Sequence, residues 1–173
     1  MKYVALLRGI NVGTSKRVDM KSLKSLFEKI GFTNVSTYIN SGNILFESKK
    51  DSKEVNTQIE RELKEETGED IRVLTKTIDQ MRIIANNIPI EWENNEEQKT
   101  DVAYLFEEAN REEIVQELPI KLEFIRIKYF DGALIWNVMR EDYNKSHLNK
   151  IIGHKIYKQM TVRNVNTARY LAS

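Results

Sequence analysis

Lys2-Tyr3-Val4-Ala5-Leu6-Leu7-Arg8 and, ten residues on, Val18-Asp19-Met20-Lys21-Ser22-Leu23-Lys24-Ser25-Leu26-Phe27-Glu28-Lys29-Ile30-Gly31 are the stretches whose reading decides the fold. The first is an apolar run with a polar segment after it, the pattern of a buried strand. In the second, Asp19 stands where a helix cap belongs, Met20, Leu23, Phe27 and Ile30 recur at helical spacing, and Gly31 is a stop. Val18 and Leu23 are placed as a hydrophobic staple. Working outward, Val35 to Ile39 and Ile44 to Glu47 read as short strands joined by Asn40-Ser41-Gly42-Asn43, a hairpin turn by composition. Asp51 with Glu54 forms a capping signal, Val55, Ile59 and Leu63 make one stripe, and Gly68 ends that helix. Ile71 to Lys76 closes the unit as a strand. Strand, helix, strand, strand, helix, strand is the order of the ferredoxin-like split βαβ.

The pattern then recurs. A short helix over residues 77–86 is opened by Thr77 and Gln80, and the polar stretch Asn94 to Lys99 reads as a linker. A strand at Val102 to Phe106, a helix from Arg111 to Leu118 capped by Asn110, and a strand at Leu122 to Lys128 follow. After the Asp131-Gly132 turn come a strand at Leu134 to Val138, a helix from His147 to Tyr157 capped by Ser146, and an extended piece near Met160 to Val162. A last helix starts at Val165 or Asn166. The expected fold is α+β, two tandem ferredoxin-like (βαββαβ) halves with a C-terminal helix. Residues 1–76 form the first half, 77–99 a helix and linker, and 100–173 the second half. The duplication is one of pattern rather than of residues.

With 173 residues, 40% of them hydrophobic and 31% charged, the chain has the composition of a globular protein with a substantial core. No apolar run approaches the roughly 20 residues of a membrane helix. The absence of cysteine removes disulfides, thiolate metal sites and thiol catalysis, and fits a cytoplasmic setting. The net charge of +1 argues against a dedicated nucleic-acid binder. That average hides a pattern: residues 1–30 carry net +5, residues 143–173 carry net +6, and the middle is therefore −10. Basic ends beside an acidic body can present a positive face, and the same polarity also serves solubility alone.

Arg, Asn, Ser, Thr and Gly concentrate in three short motifs: Leu7-Arg8-Gly9-Ile10-Asn11-Val12-Gly13, Tyr38-Ile39-Asn40-Ser41-Gly42-Asn43, and Thr161-Val162-Arg163-Asn164-Val165-Asn166-Thr167. Taken together, in order, they resemble one bacterial family, domain of unknown function family 1697, over Lys2 to about Leu171. Asn87-Ile88-Pro89 and Tyr143-Asn144-Lys145-Ser146 share the likeness. Members often have Gln where Asn40 stands, Gly where Thr14 stands and Trp where Val165 stands. The last difference removes an aromatic that could stack on a base. The resemblance implies an α+β protein and brings no activity with it.

As chemistry, the first motif is neither a Walker loop nor G-x-G-x-x-G, because Gly9 to Gly13 is G-x-x-x-G followed by Thr14-Ser15-Lys16. The connection from Arg8 to Asp19 is nonetheless longer than the usual strand-to-helix loop, and long ordered loops are often functional. Two readings of Arg8 and Asn11 stay open. They grip a ligand, or Asn11 and the glycines satisfy an irregular backbone while Arg8 enters an internal ion pair. Asn40, Ser41 and Asn43 can serve a ligand, and turn chemistry alone also accounts for them. The sequence reading places the second-to-third strand turn at the end of the sheet opposite the Arg8 loop, so that the two motifs do not meet within one half. Lys145 before Ser146, and Arg163 after Thr161 and before Asn164 and Asn166, stand at predicted helix starts where backbone N–H groups favour anions. Plain capping by Ser146, Asn164 or Asn166 competes with that.

No residue is singled out as catalytic, and no cofactor or metal is implied. His147 and His154 lie seven apart on one predicted helix without a third ligand nearby. Lys145-Ser146 is a poor base and nucleophile pair, since adjacent residues at a helix start point apart. Trp92 and Trp136 read as packing residues. The leading expectation is a small phosphate- or carboxylate-bearing ligand at a basic site formed by the N- and C-terminal motifs. The alternative is a nucleic-acid or protein interaction module. It ranks lower because neither Tyr3 nor Tyr38 sits in an RNA-recognition signature.

Overall fold

The computed structural model describes residues 1–11 and 17–173. The chain forms two compact units, Met1–Met81 and Arg82–Ser173.

In the first unit, β1 (Lys2–Leu7), β2 (Thr33–Tyr38), β3 (Asn43–Glu47) and β4 (Val73–Thr77) build a sheet in the order β2-β3-β1-β4. Every pairing is antiparallel. Helices α1 (Met20–Ile30) and α2 (Ser52–Thr67) fill the two crossovers. The local signals act as the sequence predicts. An Asp19 carboxylate oxygen accepts the Ser22 N–H at 2.9 Å, and Gly31 ends α1 in the left-handed region at φ 102°. Asp51 and Glu54 form a reciprocal capping box on α2, which ends at Gly68. Leu23, Leu26 and Phe27 of α1 and Val55, Ile59 and Leu63 of α2 are buried against Tyr3, Ala5, Leu7, Ile44 and Phe46 of the sheet, with Val18, Met20 and Ile30 packed at the margin. Tyr3, Phe27, Phe32 and Phe46 form an aromatic cluster in which Phe46 touches the other three rings.

Helix α3 (Ile78–Asn86) opens on the reciprocal Thr77 and Gln80 hydrogen bonds, 2.9 and 3.2 Å. The second unit then places β5 (Gln98–Leu105), β6 (Ile125–Phe130), β7 (Ala133–Met139) and β8 (Met160–Asn164) in the order β6-β7-β5-β8, the same order as the first sheet. It ends in α5 (Val165–Leu171). Two four-stranded antiparallel sheets with their helices fit tandem ferredoxin-like halves with a C-terminal helix. No helix among the described residues is long and apolar enough to cross a membrane.

The second unit departs from the sequence reading in its connections. The helix expected over 111–118 is only a 3-10 turn (Glu107–Ala109) and the single turn α4 (Ile114–Glu117). Asn110, expected to cap it, instead holds the β6–β7 turn. Its amide donates to Asp131 Oδ1 at 2.8 Å, and its oxygen accepts the Gly132 N–H at 2.7 Å and the Tyr129 hydroxyl at 3.0 Å. The helix expected over 147–157 is two 3-10 turns, Leu148–Ile151 and Lys155–Gln159. His147 takes φ 59°, a left-handed conformation from which a right-handed helix cannot continue backwards to Ser146. Leu122–Phe124 is a 3-10 turn rather than strand. Gln98 and Lys99, read as linker, already pair with Met139 and Val138.

One face of this sheet packs Ala103, Leu105, Leu134, Trp136 and Val138 against Leu148, Ile151, Ile156 and Met160. A neighbouring polar network is built on Asn137. Its amide donates to Thr100 Oγ1 at 2.8 Å and Gln98 Oε1 at 2.7 Å, and its oxygen accepts from Arg126 Nη2 at 2.7 Å. The Arg126 guanidinium also lies over the Trp92 ring, 5.5 Å from its centroid. Trp92 is thus a packing residue and the seat of a cation. Trp136 donates its indole N–H to Asp101 at 3.1 Å.

Candidate functional site

β1 and β2 both run antiparallel to β3 and are therefore parallel to each other. The turn that follows β2 consequently lies at the C-terminal end of β1, where the Arg8 segment leaves the sheet. This overturns the expectation that the first two motifs sit at opposite ends. The crossover through α1 returns the chain to the starting end before β2 begins, so both strands deliver their C-termini to the same edge. The register agrees: Leu6 stands opposite Asn43, and the Leu7 N–H donates to the Gly42 carbonyl at 2.9 Å.

Asn11 ties the two motifs together. Its oxygen accepts the Val18 N–H at 2.8 Å, while its amide donates to the Val18 carbonyl at 2.9 Å and to Asn40 Oδ1 at 3.1 Å. The side chain thereby imitates a strand neighbour for residue 18 and closes the base of the segment before α1. Val12, Gly13, Thr14, Ser15 and Lys16, between these bonds, lie outside the described residues. Gly9 (φ 68°), Asn11 (φ 55°), Ile39 (φ 49°) and Gly42 (φ 75°) all adopt left-handed backbone at this end. Gly42 has a second constraint. A Cβ there would lie 2.8 Å from both Leu7 Cβ and Ile10 Cδ1.

Among the described residues, the cations at this edge come from three segments. Arg8 is half-buried, Arg17 is exposed ahead of α1, and Arg72 is exposed just before β4. The Arg8 N–H donates to the Arg72 carbonyl at 2.9 Å, so these two residues are backbone neighbours. Sequence reading missed Arg72 because nothing in Ile71-Arg72-Val73 marks it; only the β1–β4 pairing does. Lys64 pairs with Asp70 at 3.2 Å, and hydrogen bonds from the Ser22 N–H and hydroxyl hold the Asp19 carboxyl below its usual range. Of the second motif, Asn40 is exposed and Ser41 half-buried, whereas Asn43 is buried and donates to the Tyr38 carbonyl at 3.1 Å, closing the hairpin. A cleft of about 460 Å³ at the other end of this sheet, lined by Met1, Phe32, Thr33 and Lys49 among others, holds no motif residue.

The remaining candidates belong to the second unit. Ser146 is fully buried, donating to the Tyr143 carbonyl at 2.6 Å and accepting the Leu148 N–H at 3.2 Å, and Lys145 pairs with Asp142 at 3.4 Å. Asn164 caps α5 through the Thr167 N–H at 3.0 Å, and Asn166 is exposed on its first turn. Arg163 is 8% exposed; its Nη1 donates to Thr161 Oγ1 at 2.8 Å and to the Val162 carbonyl at 2.9 Å. Burial lowers its guanidinium to about 10, opposed by Tyr104 and Tyr157, and burial raises the Tyr104 phenol, opposed by Arg163.

These two shifts have opposite pH signatures. A raised Tyr104 contributes stability that is present below its unfolded value of 10.0 and is lost as pH climbs toward its folded value. A lowered Arg163 does the reverse, since between about 10 and 12.5 the unfolded chain holds the extra proton. Tyr104→Phe is therefore expected to lose stability less steeply than the parent between pH 10 and 12, read as the urea midpoint against pH. An equally steep fall in the variant would show that Tyr104 does not drive the alkaline loss.

Among the described residues no group of three or more His, Asp or Glu side chains could hold a metal ion. A family model described as "Protein of unknown function (DUF1697)" matches residues 1–129, a range that contains both motifs that meet at the edge of the first sheet. The chain belongs to the DUF1697 family. The matched residues run through the first unit and on to β6. The conserved bacterial protein SP0830 from Streptococcus pneumoniae superposes with a TM-score of 0.85 at 22% identity, over 99% of this chain and 96% of that one. At that identity the likeness shows a shared fold. The small subunit of acetolactate synthase from Thermotoga maritima aligns over 94% of this chain at 20% identity with a TM-score of 0.25, too low to carry an argument. No curated protein matches the chain significantly.

Proposed function

We propose that this DUF1697 protein binds a small phosphate- or carboxylate-bearing ligand at the C-terminal end of β1, with Arg8 and Arg72 as the cations and Asn40 and Ser41 as polar partners. The observation that carries this reading is the bond between Asn11 and Asn40, which joins two motifs of the family, 29 residues apart, beside the paired backbone of Arg8 and Arg72. Arginine suits the task because its planar, permanently charged fork matches a carboxylate or phosphate. Strained backbone is commonly kept where a binding geometry needs it, and left-handed residues come from both motifs here. Buried Arg163, bonded to Thr161 and Val162, is left out of the site.

Thermal shift and calorimetric titration with inorganic phosphate and with small carboxylates test the reading. Arg8→Ala is expected to weaken binding by about 10- to 100-fold, the worth of one charge-assisted hydrogen bond. Affinity is expected to fall as salt rises, since the cations are partly exposed. Equal affinity in the parent and in Arg8→Ala would sink the assignment, and selective binding of single-stranded RNA would point to an interaction module in its place.

A further inference from the structure

Two buried oxygen atoms of the first unit have no hydrogen-bond partner among the described residues: the Thr75 hydroxyl on β4 and the side-chain oxygen of Asn56 on α2. Thr75 is only 7% exposed. An unmet polar group in such a position is destabilising, and native folds keep few of them. Both atoms belong to one seam. The Thr75 side chain points toward the helices, because its cross-strand partner Ala5 and Val73, two residues back on the same face, belong to the core packed under them. The Val73 N–H donates to Glu60 Oε1 at 2.9 Å, which sets Glu60 of α2 against the start of β4. From there the two elements run in opposite directions, since only residues 68–72 separate them. One helical turn back to Asn56 covers about 6 Å, and two strand residues on to Thr75 cover about 7 Å. Asn56 therefore stands over Thr75. The two atoms do not bond each other. The backbone adds a third group, because β4 is an edge strand and the Thr77 N–H donates to Gln80 Oε1 at 2.9 Å as the Val73 N–H does to Glu60. With a period of two, the Thr75 amide faces the same open edge between these two capped amides.

We infer that a single water molecule is bound in this seam between α2 and β4 as a fixed part of the fold. It donates to Asn56 Oδ1 and accepts from the Thr75 hydroxyl, with the Thr75 N–H as a further donor; about three polar partners are typical of a buried water. The chemistry of the seam selects water over an ion. An anion would face the Asn56 oxygen and a metal cation would face the Thr75 N–H, whereas water donates to the one and accepts from the other. The site is separate from the anion-binding reading above, and neither depends on the other.

A high-resolution crystal structure and a double-variant cycle of melting temperatures test the inference. The structure is expected to show one peak of density about 2.6–3.2 Å from both Thr75 Oγ1 and Asn56 Oδ1. Thr75→Val keeps the shape of the side chain and deletes the hydroxyl, so it is expected to lower the melting temperature by about 2–4 °C, the worth of one net hydrogen bond. In the background of Asn56→Leu the same substitution is expected to cost little, because the water has already lost its acceptor there. A rise in melting temperature for Thr75→Val in the parent overturns the inference, by showing that the hydroxyl is unmet and the seam dry. An equal fall in both backgrounds overturns it as well, since the two residues then share no ligand. So does a structure in which Asn56 bonds Thr75 directly, or in which no density lies between them.

Discussion

Gly42→Ala is expected to lower the unfolding free energy by about 2–5 kcal/mol, the sum of a left-handed backbone penalty of about 1–2 kcal/mol and an overpacking cost of about 1–3 kcal/mol. Both causes are specific to this position. Gly42 has φ 75°, and an added methyl would come within 2.8 Å of Leu7 Cβ and Ile10 Cδ1. Leu7 and Ile10 are themselves buried in the core, and the Leu7 N–H is bonded to the Gly42 carbonyl, so neither side can withdraw cheaply. Gly31→Ala separates the two causes. At φ 102° with no heavy atom within 4 Å of its Cβ, Gly31 is expected to show the backbone penalty alone, about 1–2 kcal/mol. Urea unfolding followed by far-UV circular dichroism measures both variants. Equal losses in the two would mean that the contact between the hairpin tip and the Arg8 segment is looser than described. Because that contact sets Asn40 beside Asn11, Gly42→Ala is also expected to weaken anion binding without touching a charged group.

Phe46→Ala is expected to cost about 3–5 kcal/mol, the range for deleting a buried phenylalanine. Phe46 stacks on Phe32 with centroids 4.6 Å apart and on Tyr3 at 5.6 Å, and meets Phe27 edge-on at 5.3 Å. Such ring pairs add to area burial, so the loss belongs at the upper end of the range. Phe46 lies on β3, on the opposite face of the strand from Asn43, and its ring neighbours come from β1, α1 and the residue just before β2. The residual cavity has aromatic walls that cannot collapse far. Phe46→Leu, which keeps much of the volume, is expected to lose less than half as much; equal losses in the two variants would mean that the cluster tolerates no change of shape.

The first unit was legible in the sequence because its signals are local. Asp19 and Ser22, Asp51 and Glu54, and Gly31 and Gly68 act within one helical turn of their partners, and each does in the structure what its spacing implies. The second unit was legible in its strands and less so in its connections. Asn110 carries a capping residue's chemistry but finds its partners at Tyr129, Asp131 and Gly132, about twenty residues away, and those bonds outweigh a local helix start. His147 shows the same limit in the backbone: its left-handed conformation breaks a stripe that looks helical by spacing.

The candidate site divides in the same way. Arg8, Asn11, Asn40 and Ser41 stood out by composition, while Arg72 did not, being marked only by its pairing beside Arg8. Arg163 stood out and proved to be enclosed, its guanidinium bonded to Thr161 and Val162. By itself the sequence determined the family, the order of the strands and, in the first unit, the helices and the caps that end them, all of which depend on residues a few positions apart. The crossover order already implies that the Arg8 segment and the Asn40 turn share one end of the sheet, and only the tertiary structure decided that Asn11 and Asn40 bond to each other there. That depends on β1 and β2 both pairing against a third strand, a relation between segments some thirty residues apart, which no local pattern encodes.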